Sequence, residues 1–258
     1  MTNVQFYNSS EIYVRILEQR SETDYAALVE AVGAYSANGR VLDYGCGVGL
    51  LAKMLAERGY SVTGVDISER FIGAAREKFA GIPGLEFEVM NDLPLRFEVG
   101  AFDIVVTSSA LEHCTGVDAI LLEFMRILRK GGLLVIETPN MISPLSRVKL
   151  IVQRLIGRRK KFHRFGTPAF LVTSLFYLAK KLVLRKCEFI YVTPEYSAFS
   201  EADEDVSYLS NPLDYYFFLR DRGFKILGLS RSRGLIRKFV SERLPYLAGG
   251  VLVVARRP

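Results

Sequence analysis

The chain has 258 residues, half of them hydrophobic, with 34 basic against 28 acidic side chains and a net charge of +6. That length and apolar share suit one large domain, or one domain with an insertion, and exclude a disordered chain. Three widely spaced cysteines, Cys46, Cys114 and Cys187, exclude a disulfide framework and a paired-cysteine zinc site.

Met1–Ser10 is polar, with no apolar signal stretch, and no run reaches the ~18–20 apolar residues of a spanning helix. A cytoplasmic location is therefore expected. Residues 9–35 read as two helices broken near Gln19–Thr23. A first strand over 40–44 runs into a glycine turn and a helix over 48–58, with Leu50, Leu51, Met54 and Leu55 on one face. A second strand over 61–65 leads to a helix that Ser68 caps, and a third strand covers 85–90. A fourth strand over 102–107, a helix over 117–129 and a fifth strand over 133–137 complete the repeat. Strand–helix–strand units with connections of this length predict a parallel, doubly wound sheet with right-handed crossovers.

Residues 141–200 break the pattern. Basic and apolar positions interleave over 145–155, Arg158-Arg159-Lys160-Lys161 follows, and an apolar helix begins after Pro168. From Thr138 to Cys187 there are twelve basic residues and no acid. Such an imbalance calls for a partner. The sequence offers three: an anionic membrane surface met through 145–186, an anionic group on a substrate, or RNA, with a solvated lid as the plain alternative. A membrane or lipid-linked substrate ranks first, because the apolar positions are Leu, Ile, Val and Phe and no RNA-module signature is present. The acids of 201–205 read as a mobile loop rather than a metal site, and no cluster elsewhere has metal-ligand spacing. A helix opening at Pro212, a strand over 224–229, an irregular or helical 235–244 and a last strand over 250–255 close the chain. Nothing in the sequence sets an oligomeric state.

The functional signal lies at the strand ends, where ligands of such sheets bind. Asp43 precedes Gly45, Cys46, Gly47 and Gly49 in the first turn, and Asp66 ends the second strand 17 residues beyond Gly49. An acid at that second tip suits ribose hydroxyls. A carboxylate inside the turn repels a pyrophosphate and suits a positively charged ligand.

Those residues resemble the class I S-adenosylmethionine-dependent methyltransferases, in their small-molecule, ubiquinone-biosynthesis-like branch. The resemblance rests on Asp43–Gly49, Gly64–Ser68, Phe102–Val106, Ala110–His113 and Lys130–Ile136, and covers about 38–140. It implies a Rossmann-like seven-stranded sheet, mostly parallel with an antiparallel last strand, plus a helical insertion. The expected division is 1–140 for the cofactor-binding core with N-terminal helices, 141–210 for the basic helical insertion or lid, and 211–258 for the helix and edge strands completing the sheet.

The resemblance also assigns roles. S-adenosylmethionine is the implied cofactor, with Gly45, Cys46, Gly47 and Gly49 under its methionine part and Asp43 on its ammonium, directly or through water. Asp66 is expected on the ribose, Ile67 against the adenine, Asn91, Asp92 or Leu93 near the adenine edge, and Ser108 beneath the methyl donor. His113 is the candidate general base, with Glu112 beside it as a second catalytic or positioning group. The implied reaction is methyl transfer to a small or lipid-linked acceptor, most naturally at oxygen, of glycan, quinone or natural-product type. An RNA methyltransferase, a nicotinamide-dependent oxidoreductase and an inactive cofactor-binding protein stand as alternatives. Against the oxidoreductase are Asp43 and the lack of a Tyr-x-x-x-Lys pair near the strand ends. The absence of Asn-Pro-Pro-Tyr disfavours DNA adenine as acceptor. The protein would be cytoplasmic, or peripheral on the inner face of the membrane.

Overall fold

The structure, a computed structural model, describes residues 3–91, 93–157, 167–196, 205–229 and 244–258. Three helices lead: α1 (Asn3–Ser9), α2 (Glu11–Glu18) and α3 (Glu22–Tyr35). The break expected near Gln19–Thr23 is present, and Ser21 and Asp24 form a reciprocal capping box there. The sequence reading lacked α1, which ends just ahead of Ser10; that side chain accepts the Tyr13 N–H and opens α2.

Next come β1 (Arg40–Tyr44), α4 (Leu50–Ala56), β2 (Ser61–Asp66), α5 (Glu69–Lys78), β3 (Leu85–Val89), β4 (Phe102–Ser108), a short 3-10 turn over Leu111–His113, α6 (Val117–Ile127) and β5 (Leu128–Pro139). β5 starts earlier than the sequence suggests: Leu128 pairs with Phe102, the register shifts, and Leu133 then pairs with Ile104, so Gly131-Gly132 falls within an irregular stretch of the strand. After α7 (Pro144–Leu155) and α8 (Pro168–Leu184), α9 (Pro212–Arg220), β6 (Lys225–Gly228) and β7 (Gly250–Arg256) return to the sheet. α7, α8 and α9 open alike: Ser143, Thr167 and Asn211 each accept an N–H of the first turn, with proline just inside.

The strand order is β3-β2-β1-β4-β5-β7-β6, parallel except for β7, which runs antiparallel to β5 and β6. This is the expected Rossmann-like sheet. One face packs α6 and α9 around Phe124, Tyr215 and Phe218; the other packs α3, α4 and α5 around Val29, Leu55 and Ile72. Burial on both faces explains the apolar runs of β1, β4 and β5.

The segment between β5 and α9 is anchored by polar groups. Lys181 and Asp214, both buried, meet at 2.6 Å, and Asp214 also accepts from Tyr208 Oη, Asn211 Nδ2 and the Glu188 N–H. Asn140 donates to the carbonyls of Tyr246 and Ala248, and Ser143 to that of Leu247. The root of α7 is thereby tied to the segment entering β7. The Arg158–Lys161 run and 235–243 lie outside the described residues.

Candidate active site

The carboxyl ends of the parallel strands border a cavity of about 590 Å³, a size suited to a small molecule or cofactor. Gly45, Cys46, Gly47, Asp66, Ile67, Asn91, Leu93, Ser108, Glu112 and His113 all line it. Asp43 and Gly49 do not, and Asp92 lies outside the described residues.

The glycine turn follows from steric need. Gly45 has φ 72°, and a Cβ there would sit 2.4 Å from Ala110 Cβ; at Gly49, φ 82°, it would sit 2.5 Å from Phe87 Cζ. Gly49 thus lets α4 and β3 approach, rather than touching a ligand. The Gly47 N–H donates to Asp66 Oδ2 at 2.9 Å and the Ser68 N–H to Oδ1 at 3.0 Å, fixing the carboxylate at the rim. Burial raises the Asp66 pKa in spite of these donors.

Asp43 lies beneath the turn rather than in the cavity lining. It is fully buried under the turn, where its carboxylate accepts the Ala52 N–H in the first turn of α4. Its Oδ2 has no hydrogen-bond partner among the described residues. Burial, and the nearby Asp66, push its pKa up to about 8. An uncompensated carboxyl beneath the turn suits a ligand of positive charge, and Asp66 at the rim suits hydroxyls; together they fit a sulfonium nucleoside better than a pyrophosphate. Ser108 is turned to the sheet, its Oγ donating to Glu137 at 2.7 Å.

His113 is the centre of the opposite wall. Its Nδ1 lies 3.0 Å from Asp205 Oδ2, and its Nε2 lies 3.2 Å from the Tyr13 hydroxyl. Tyr7 donates to the same Asp205 oxygen at 2.6 Å. Burial alone would raise the Asp205 pKa, but His113 and the two hydrogen bonds outweigh it and hold the carboxyl below its usual value. Burial, then Tyr13 and Asp205, raise the Tyr7 phenol well above its ordinary value. Glu112 positions this group through its backbone: its carbonyl accepts the N–H groups of Ser207 and Tyr208, which holds Asp205 beside His113, while its side chain accepts from Thr138.

Asp205 stands apart from the mobile acidic loop that the sequence suggests for 201–205. It is fully buried and belongs to the cavity wall's support, whereas 201–204 lie outside the described residues. Tyr7 and Tyr13 were likewise missed; the signal was the aromatic density of Phe6, Tyr7 and Tyr13, whose rings pack edge-on beside His113.

Comparison with known proteins bears on the domain family and the fold. Residues 42–136 match the methyltransferase domain family. Ubiquinone biosynthesis O-methyltransferases of Sinorhizobium fredii and Rhizobium rhizogenes are 36% identical over 102 residues and 38% over 103, in each case 39% of this chain and 41% of the relative. The chain thus spans about two fifths of the relatives it matches. The fold extends further: an S-adenosylmethionine-dependent methyltransferase structure from Mesorhizobium loti superposes with a TM-score of 0.57 at 18% identity, covering 90% of this chain and 97% of that one. The sheet order, the turn over Asp43–Gly49 and these matches lead to one conclusion: residues 42–136 are a methyltransferase domain, in a chain that has the fold of S-adenosylmethionine-dependent methyltransferase structures.

Proposed function

We propose that the protein methylates a hydroxyl group of a small or lipid-linked acceptor, with His113 as the general base. The observation that carries this is the seating of His113 in the cavity wall, between buried Asp205 at Nδ1 and a hydroxyl, that of Tyr13, at Nε2. O-methylation is also what the printed names of the Sinorhizobium and Rhizobium relatives state for those proteins.

The turn Gly45–Gly47, Asp66, Ile67 and the Asn91–Leu93 side would hold the cofactor. When bound, S-adenosylmethionine supplies a methyl carbon made electrophilic by its sulfonium. The chain's residues then have two tasks. The first is alignment and exclusion of water, for which the aromatic wall of Tyr7, Tyr13 and Phe71 is suited. The second is the acceptor proton. Asp205 keeps the proton of neutral His113 on Nδ1, which leaves the Nε2 lone pair to receive a hydroxyl proton, and the carboxylate stabilises the imidazolium that forms. Tyr13 stands where an acceptor hydroxyl would stand, either yielding the place or passing the proton.

The test is turnover of hydroxylated aromatic acceptors with S-adenosylmethionine, following S-adenosylhomocysteine release. His113→Ala is expected to lower kcat by about 10²–10⁴-fold, with the calorimetric affinity for S-adenosylhomocysteine unchanged. A loss of less than about threefold would rule out the base, leaving alignment as the whole of the catalysis.

A further inference from the structure

The two helices of the insertion have their polarity reversed. α8 turns Ser174, Leu178 and Lys181 inward and Val172, Leu175, Phe176, Ala179, Leu182 and Val183 outward, each set at helical spacing. Val172 is 67% exposed, Phe176 63% and Val183 79%. α7 does the same: Arg147 is buried, with its guanidinium over the Phe170 ring, while Leu145, Val148, Val152, Leu155 and Ile156 face out. The two helices pack against each other, so their outward stripes belong to one side-by-side pair. Apolar surface of this extent on a soluble face marks an interaction site.

The charge around the stripes says what covers it. Lys149, Arg154, Arg185 and Lys186 are exposed on the same two helices and their end, and no acid occurs between Glu137 and Glu188. A second copy meeting this face would set basic groups against basic groups, which costs energy. A surface offering both hydrocarbon and negative charge satisfies both halves of the pattern. No described helix is long and apolar enough to cross a membrane, so the hairpin would lie in the plane of the interface.

We propose that the outward face of the α7–α8 hairpin docks the protein on an anionic lipid bilayer. α7 begins at Pro144, a few residues after Pro139 in the cavity lining, so the hairpin is joined in sequence to the cavity wall. The inference concerns the surface alone and does not depend on the methyl-transfer proposal.

The test uses the full chain and two kinds of vesicle, phosphatidylcholine alone and phosphatidylcholine with equimolar phosphatidylglycerol. The wild-type protein is expected to sediment with the second and not the first, less so at high salt. Val172→Glu with Phe176→Glu, both at solvent-facing positions, should weaken partition at least about tenfold while leaving S-adenosylhomocysteine binding intact. The chain has no tryptophan, so Phe176→Trp supplies a single indole whose emission should shift to the blue on the anionic vesicles. Failure of the wild type to sediment, equal sedimentation of the glutamate variant, or an unshifted indole would each overturn the proposal. So would a vesicle-independent dimer that the glutamate pair dissociates, which would assign the face to a second copy.

Discussion

The strand-end rim and the α7–α8 hairpin solve opposite problems with the same alphabet. At the rim, apolar residues fill both faces of the sheet and the polar ones, Asp66, Asn91, Ser108 and His113, gather at one edge around a cavity. In the hairpin the polar residues Arg147, Ser174 and Lys181 turn inward and the large apolar ones turn out. The difference teaches that burial pattern, and not composition, tells a ligand pocket from a docking face: both regions are rich in Leu, Val and Phe.

The contrast can be broken most sharply at Lys181. Removing one partner of a buried ion pair strands the other, so Lys181→Ala should cost about 3–5 kcal/mol in chemical denaturation. A loss below about 1 kcal/mol would mean that apolar packing, as at the rim, holds the hairpin. Next in size is Asp66→Ala at the rim itself. It should weaken S-adenosylhomocysteine binding about a hundredfold, or ~2.7 kcal/mol, by calorimetry, with the melting temperature little changed; unaltered affinity would remove Asp66 from the ribose. A third effect is spread over a pH range and is read from Asp43. Its pKa is about 8 in the fold against about 3.9 unfolded, so between these values the folded state holds a proton that the unfolded state has released. Stability is therefore fully present below the lower value and falls as pH rises towards about 8, by at most about 1.4 kcal/mol per pH unit. Asp43→Asn should flatten that slope in a series of thermal melts. An unchanged slope would place the titration elsewhere, in Asp66 or Asp214, whose pKa values burial also raises.

The rim was legible because it is local. Asp43, the turn glycines and Asp66 lie within two strands, and each is required by a steric or electrostatic need that spacing alone expresses. The parallel, doubly wound sheet followed from the alternation of strands and helices, and its antiparallel end from the resemblance rather than from spacing. His113 could be named as a candidate, but its partners could not: Tyr7 and Asp205, joined at 2.6 Å, are 198 residues apart in the chain. An aspartate ending an acidic run looks like surface until tertiary contacts bury it. Asp43 is the converse case: its place beneath the turn was legible, but its hydrogen bond to the Ala52 N–H was not. The hairpin's amphipathic pattern was visible, but the sense of the pattern, inside or outside, is a property of the fold.

Gly45 and Ala110 come so close that one added carbon would collide at 2.4 Å. At this point the base of the cavity is therefore set by the Gly45 main chain meeting the Ala110 methyl, with no room for a larger side chain at Gly45. Its roof is built differently, from Tyr7 and Tyr13 of the leading helices and from His113, backed by Asp205 of the segment before α9. Such a molecule has a stiff socket and an exchangeable cover. On the proposed reading, substitutions at Tyr7 and Tyr13 would alter which acceptor fits, whereas Leu17 of α2, close against Gly47, belongs with the socket.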